Sequence, residues 1–291
     1  MKIINIFLTN IMVIVTCSTL FAYDFSANCT GQKLYFNIIS DTVPYTVEVT
    51  SEITIEPYYN NKPTGSIQIP DSVMYNGITY LVTGIGEFAF FECDQITDIA
   101  MGNHVLSIMR YAFAFCEKVT TIYIPETVTY FGYGTFCDCM ELQNINIPNG
   151  IKEISNSLFS ECFKLKNIRI PDSVTTINNF AFFGCRSLTS LYIPDATIMI
   201  YSAAFSECIQ LDTFLIGSNN KSYKIIEGIL YTKNMDTLLV CAAGKKGNIT
   251  IPNSVKIIDA YAFSGCSKLT GPLVIPNSVT YIWDHAFKLC T

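Results

Sequence analysis

The stretch Phe159–Ile193, FSECFKLKNIRIPDSVTTINNFAFFGCRSLTSLYI, contains one complete sequence unit and the beginning of the next. Phe159 and Cys162 recur as Phe182 and Cys185, at an offset of 23 residues. A fixed period of this length is typical of solenoids, in which each unit buries its apolar face against its neighbours. The stretch therefore predicts a repeat protein.

The same register extends through most of the chain. Cysteines recur at one position of the unit, and a phenylalanine precedes each of them by three residues. The ladder cysteines are Cys93, Cys116, Cys139, Cys162, Cys185, Cys208, Cys266 and Cys290, and the phenylalanines are Phe90, Phe113, Phe136, Phe159, Phe182, Phe205, Phe263 and Phe287. Since stacked coils bring equivalent residues together, we predict one continuous, buried phenylalanine spine.

Each unit from Val82 onward reads V-x-x-I, then A-F-x-x-C, then L-x-x-I-x-I-P. Side chains alternate on a strand, so the I-x-I part predicts a short strand with one buried face. The proline that follows ends it, because proline lacks a backbone donor. V-x-x-I predicts a second extended segment. A-F-x-x-C is too short for an independent helix and predicts a single helical turn held by packing.

The N-terminal part of the chain does not carry the repeat. Residues 1–22 contain Lys2 and a mostly apolar run, which predicts a secretory signal peptide, with a membrane-retained anchor as the alternative. Residues 23–78 alternate short β-rich runs with turn signals such as Asn76-Gly77, and predict a β-rich cap for the open end of the solenoid. A separate binding module is the alternative. The solenoid is expected over residues 79–291.

One unit departs from the pattern. Residues 218–248 predict a hairpin, with strands at Ile225–Tyr231 and Thr237–Cys241, in place of the A-F-x-x-C part. After Cys290 the final L-x-x-I-x-I-P strand is missing from the sequence. An end of this kind exposes apolar surface and strand edges, so we expect self-association there, another partner, or a shortened version of a longer protein.

Composition excludes several functions. The net charge of −6 and a pI of about 5.0 disfavour a nucleic-acid partner, which requires a basic face. No phosphate loop, zinc-protease helix or serine nucleophile elbow is present, and His104 and His285 are far apart in the repeat. His285 and Cys290 are close in sequence, but Cys290 is a ladder position. We therefore expect no enzymatic activity, no cofactor and no metal.

The cysteines need a separate interpretation. In a parallel stack, equivalent residues point the same way, and buried cysteine behaves as a small apolar residue, so we expect buried thiols along the ladder. Disulfides or a metal are the alternative. Cys29, Cys137 and Cys241 lie off the ladder and are the candidates for pairing.

The exposed positions of L-x-x-I-x-I are the best candidates for binding. They form three columns down the stack, and the third contains Tyr123, Arg169 and Tyr192. Tyrosine and arginine are enriched among side chains that carry binding energy. The predicted ligand-binding residues of this strand face are Tyr123, Asn144, Asn146, Lys166, Asn167, Arg169 and Tyr192. An ordinary solvated sheet face is the alternative.

The segment IPDSVTTINNFAFFGCRSLTSLYIP, Ile170–Pro194, closely resembles the BspA-like leucine-rich repeat of the Treponema type. The resemblance covers about residues 79–291, and the segment 65–90 is similar to the lead-in of bacterial members. Gly102 and Gly217 depart from it, since they replace the proline. The resemblance implies a leucine-rich-repeat solenoid and a secreted or cell-surface protein. Several members are adhesins that bind matrix proteins or other cells.

Together these observations predict a secreted or cell-surface protein, of the surface-antigen kind, that mediates protein recognition or adhesion without catalysis. The expected partner is an extracellular-matrix or cell-surface protein, and a glycan is the second partner class. The alternatives are a glycan- or nutrient-capturing binding module and a structural unit of a surface layer.

Overall fold

A computed structural model describes residues 7–8, 11–12, 21–54, 58–201 and 203–290. Over these residues the chain consists of strands and turns. The predicted signal peptide, residues 1–22, lies largely outside them. Its described part includes β1 (Phe7–Leu8) and β2 (Ile11–Met12), which pair antiparallel. Within the described ranges, no helix is long and apolar enough to cross a membrane.

The N-terminal region is an antiparallel meander joined to the solenoid. It contains β3 (Phe25–Cys29), β4 (Gln32–Ser40) and β5 (Thr46–Thr50), followed by β6 (Gly65–Ile69), β7 (Ser72–Tyr75) and β8 (Ile78–Ile85). The tight turn predicted at Asn76-Gly77 is confirmed: both residues have positive φ, 50° and 76°, and join β7 to β8. Strand β5 then pairs in parallel with β8. The parallel stack includes β6, which lies within the stretch 23–78.

The solenoid has two parallel ladders, as the repeat predicted. The I-x-I side contains β6, β9 (Ile96–Met101), β11 (Thr121–Tyr123), β13 (Asn144–Ile145), β16 (Ser190–Ile193) and β18 (Thr213–Ile216). The V-x-x-I side contains β8, β10 (Ser107–Ile108), β12 (Tyr130–Phe131), β14 (Glu153–Ile154), β15 (Thr176–Ile177), β17 (Met199–Ile200), β22 (Ile257–Ile258) and β23 (Tyr281–Ile282). The predicted repeat solenoid with short parallel strands is confirmed.

The helical turn predicted for A-F-x-x-C is wrong. In the coil at Phe159, the N–H of Phe159 donates to Ala181 O of the next coil at 2.8 Å, whereas the N–H of Cys162 donates back to Phe159 O at 3.3 Å. Donors alternate between these two directions along the corner. Ser157 and Glu161 therefore adopt positive φ, 54° and 59°. An α-turn would direct successive N–H groups along its own axis and leave few to bind the next coil.

The phenylalanine spine is interrupted, contrary to the prediction of eight continuous rings. From Phe90 to Phe205 successive rings stack with centroids 5.1–5.9 Å apart, and Phe263 stacks on Phe287 at 5.2 Å. Between the two segments Cys241 occupies the phenylalanine position, because its N–H donates to Ala262 O at 2.7 Å as a spine residue does. The core is correspondingly divided into two clusters.

The unusual unit has three strands where two were predicted: β19 (Tyr223–Ile226), β20 (Ile229–Thr232) and β21 (Thr237–Cys241). The predicted strand Ile225–Tyr231 is broken at Glu227-Gly228, where both residues have positive φ and form a two-residue antiparallel turn. Strand β21 pairs in parallel with β22, so it takes the V-x-x-I place and leads into the shortened corner.

The shortened corner brings the coils on its two sides into direct contact. Lys268 Nζ of the following coil donates to Ile209 O of the preceding coil at 2.8 Å. From one coil further on, Lys288 Nζ lies 3.1 Å from Glu207 Oε1. These residues are separated by the whole hairpin unit in sequence. The hairpin unit is therefore enlarged at its inserted strands and shortened at its corner, where the coils on either side meet.

The two glycines that replace proline serve close approaches of the backbone. A Cβ at Gly102 would lie 2.7 Å from the backbone nitrogen of Asp71, and one at Gly217 would overlap Asp195 Oδ1. Asp71 Oδ1 accepts a hydrogen bond from the Asn103 N–H at 2.6 Å. Each glycine thus makes room for an aspartate of the preceding coil.

Candidate functional site

The strand face exposes a column of large side chains. In the third column, Tyr123 is 60% exposed, Tyr192 37% and Leu215 54%. Arg169 lies between them with its side chain 82% exposed. Tyr192 and Leu215 are direct neighbours in the β16–β18 pair. The alternation predicted for I-x-I thus places these groups outside, while the isoleucines between them are buried.

The strand face is not one continuous sheet. Residues 165–170, between β13 and β16, form no strand. Tyr123 therefore belongs to the β6–β9–β11–β13 sheet and Tyr192 to the β16–β18 sheet. Three coil steps separate the two tyrosines, about 14 Å at the usual strand spacing. A single sugar ring cannot stack on both.

Asn146 has a structural contact that its position in the sequence does not reveal. Its Nδ2 donates to Ile124 O at 2.7 Å, and its Oδ1 accepts the Ile124 N–H at 2.8 Å. The half-buried side-chain amide thereby takes the place of a backbone peptide group in the hydrogen bonding between two coils. Both functions of the amide are engaged, so Asn146 positions the strand face and has little capacity left for a ligand.

The remaining predicted residues lie at the surface. Asn144, Lys166 and Asn167 are exposed. Arg169 lies 3.7 Å from Asp172 in a solvent-exposed ion pair. Pairs of this kind contribute little to stability, so the guanidinium is available to a partner at low cost.

A groove beside the strand face was not anticipated from the sequence. It has a volume of about 740 Å³ and crosses several coils, from Glu141 to Gln210. Three cations line it, together with Phe163, Ile209 and Asn167: Lys164, Lys166 and Arg186. We call it the cationic groove. Lys164 and Arg186 fall on the variable positions between ladder cysteine and leucine, where the repeat pattern gives no functional signal.

The charges in the groove are unevenly paired. Arg186 lies over the Phe163 ring, 4.4 Å from its centroid, and 3.9 Å from Glu161 Oε2. The Lys164 and Lys166 ammonium groups have no hydrogen-bond or ion-pair partner among the described residues. Burial raises the pKa of the Glu161 carboxyl, although Arg186 opposes the shift. Two cations are therefore free to meet an external anion.

The ladder cysteines are free thiols, and those from Cys93 to Cys266 are buried. From Cys116 to Cys208 each Sγ lies 3.0–3.2 Å from the carbonyl oxygen of a phenylalanine in the preceding unit. Cys290 is exposed, unlike the others. The three pairing candidates are also free: Cys29 and Cys137 are half-buried, and Cys241 is buried at the spine.

The histidines have separate environments. His104 Nδ1 lies 3.4 Å from Asp71 Oδ1, whereas His285 stacks on Tyr261 at 5.0 Å. Within the described part of the chain, no three His, Cys, Asp or Glu side chains are grouped to hold a metal ion.

Solved structures with the same architecture are known. The chain is similar to a leucine rich cell surface protein from Faecalibacterium prausnitzii, with 27% identity and a TM-score of 0.70, over 89% of this chain and 72% of that one. For a leucine-rich repeat protein from Eubacterium ventriosum the values are 25%, 0.60, 72% and 57%. The pneumococcal vaccine antigen PcpA shares the fold at 15% identity, with a TM-score of 0.57 over 92% and 68%. No curated protein sequence matches the chain.

The family model of the BspA type leucine rich repeat region matches in six copies, over residues 51–176, 107–235 and 241–291. These residues include the spine, both parallel ladders and the variant hairpin unit apart from residues 236–240. The predicted resemblance is confirmed, and the chain belongs to the BspA-type leucine-rich-repeat family.

Proposed function

We propose that this protein is a secreted or cell-surface recognition protein that binds a protein ligand, in the extracellular matrix or on another cell, without catalysis. One observation carries the proposal: the third column of the strand face exposes Tyr123, Arg169, Tyr192 and Leu215 on a rigid, coil-based surface. Tyrosine and arginine are the side chains that most often dominate protein interfaces.

The dimensions of the column favour a protein over a small ligand. Tyr123 and Leu215 lie four coils apart, about 19 Å at the strand spacing. A protein surface can contact such a column along its whole length, whereas one sugar ring contacts a single tyrosine. A cell-surface location is supported by the name of the similar Faecalibacterium prausnitzii protein and by the predicted signal peptide.

The test is a binding screen of the chain from residue 23 against immobilised matrix proteins and glycans. We expect saturable binding to a protein. The triple variant Tyr123→Ala/Arg169→Ala/Tyr192→Ala should lose affinity about 100-fold or more, because central aromatic and arginine side chains carry most interface energy. Its melting temperature should stay unchanged, since these side chains are solvent-exposed.

The control variant removes two tyrosines and one basic residue from the opposite ladder: Tyr130→Ala/Lys152→Ala/Tyr281→Ala, all exposed. It should bind as the wild type does. Equal loss of affinity in the two variants would reject the strand face as the site. Competition by free oligosaccharide would instead favour a capture module. A molecular mass in solution that rises with protein concentration would favour a structural unit that self-associates. The exposed Tyr281 and Trp283 would then be the side chains to mutate.

A further inference from the structure

The cationic groove adjoins the strand face but is a distinct surface. It begins at the columns that contain Lys166 and Asn167 and extends to the turn corner at Phe163 and Arg186. The protein as a whole carries a net charge of −6. A cluster of three cations lining one concave surface is therefore a local reversal of the overall charge, and such a reversal concentrates an anionic ligand at that place.

Two of the three cations form no ion pair or hydrogen bond within the described part of the chain. Glu141 contributes a carboxylate to the lining, and Glu161 lies 3.9 Å from Arg186 at the edge. Lys164 and Lys166 have no partner among the described residues. Their positions two residues apart on one coil present two ammonium groups to the same ligand. A ligand with spaced carboxylates can form charge-assisted hydrogen bonds with both.

Two features favour a peptide over a sugar. The Arg186 guanidinium covers a face of the Phe163 ring, so that face is not available to stack on a sugar. The groove crosses several coils, from Glu141 to Gln210, and an extended segment can follow it over that length. Ile209, 39% exposed, adds an apolar contact.

We infer that the cationic groove binds an extended acidic segment of the protein ligand, with carboxylates at Lys164 and Lys166 and an apolar side chain against Phe163 and Ile209. The inference rests on the proposed function, since it assigns a second contact to the same partner. It adds the chemical class that the partner presents there: alternating acidic and apolar residues in extended conformation.

The probe is a short labelled peptide that alternates glutamate with leucine, and its control replaces each glutamate by glutamine. Binding is measured by fluorescence anisotropy at two salt concentrations. We expect the acidic peptide to bind, more weakly at high salt because the lysines are exposed. The variant Lys164→Gln/Lys166→Gln should weaken binding by about tenfold or more. It should fold normally, since neither ammonium has an internal partner.

The matched control is Lys221→Gln/Lys224→Gln, an equal change of charge at two exposed lysines of the hairpin unit. It should bind the acidic peptide as the wild type does. Equal weakening in the two variants, or equal binding of the acidic and glutamine peptides, would overturn the inference. So would binding of a heparin fragment at these lysines without binding of the peptide, which would identify a glycan site. The peptide assay and the screen of matrix proteins are independent measurements. A negative peptide assay would reject the groove as an acidic-peptide site, whereas a negative screen would reject the proposed protein ligand.

Discussion

Replacing Phe159 by alanine is expected to lower the free energy of unfolding by about 3–5 kcal/mol. The side chain is completely buried and stacks between Phe136 and Phe182, with centroids 5.8 and 5.5 Å away. Its removal leaves a cavity that neighbouring coils cannot fill, because the ladder bonds hold them at a fixed spacing. Each coil of a solenoid is stabilised by its neighbours, so the defect weakens two interfaces.

Urea and thermal unfolding measure this effect. Lys166→Ala, an exposed substitution in the same coil, should change the free energy by less than about 0.5 kcal/mol. Phe287→Ala is a second control: this ring is only half-buried and stacks on one side, on Phe263, so its loss should cost less. Equal unfolding midpoints for Phe159→Ala and Lys166→Ala would remove the spine as the source of stability.

The cysteine ladder is expected to make the fold sensitive to alkali. Burial raises the pKa of the Cys139 and Cys208 thiols to about 12, from an ordinary value of 9.0. It shifts the pKa of Cys116, Cys162 and Cys185 in the same direction. Burial in the apolar stack disfavours the charged thiolate. The folded chain therefore retains these protons at pH values where the unfolded chain releases them.

The sign of the effect follows from this difference. The stabilisation by each thiol is complete below pH 9 and is lost as the pH rises from 9 toward 12. The loss is about 1.4 kcal/mol per thiol for each pH unit above 9. With several buried thiols in one stack, we expect a steep fall in stability at alkaline pH, measured by urea unfolding under reducing conditions at about pH 8 and about pH 10.5.

The variant Cys139→Ala/Cys208→Ala isolates the contribution of two thiols. Between the two pH values it should lose about 4 kcal/mol less stability than the wild type does. Any cost of the smaller side chains is independent of pH and cancels in this comparison. Val119→Ala, a buried substitution without a titratable group, should lower stability by the same amount at both pH values. If the double variant and the wild type lost equal stability, the thiols would not be the groups that titrate.

The features of this fold that recur in every coil are the ones that the sequence predicts. The strands of the solenoid and the burial of Phe159 could be predicted because each coil restates the same pattern in register. The tight turn at Asn76-Gly77 could be predicted from its two residues alone, because both tolerate positive φ. The corner could not be predicted in the same way. A-F-x-x-C is compatible with a helical turn or with the observed alternation of bonds, and only the neighbouring coil selects between them, by accepting the N–H groups of Phe159 and Glu161.

The candidate site shows the same division. The exposure of Tyr123, Arg169 and Tyr192 follows from strand alternation and could be predicted. The hydrogen bonds of Asn146 to Ile124 could not, because they join residues in different coils. The cationic groove was missed for a similar reason: Lys164 and Arg186 have no pattern in sequence and become neighbours only when two coils stack.

The sequence by itself determined the period, the inward positions and the family, because a repeated apolar pattern can be buried only by stacking units in register. The tertiary structure alone decided the course of the corner, the interruption of the spine and the charge of the groove. Cys241 takes a phenylalanine's place through its hydrogen bond to Ala262, although nothing in its local sequence marks it. Contacts between coils, unlike alternation within a strand, have no fixed spacing in sequence, and they arise only when the coils meet.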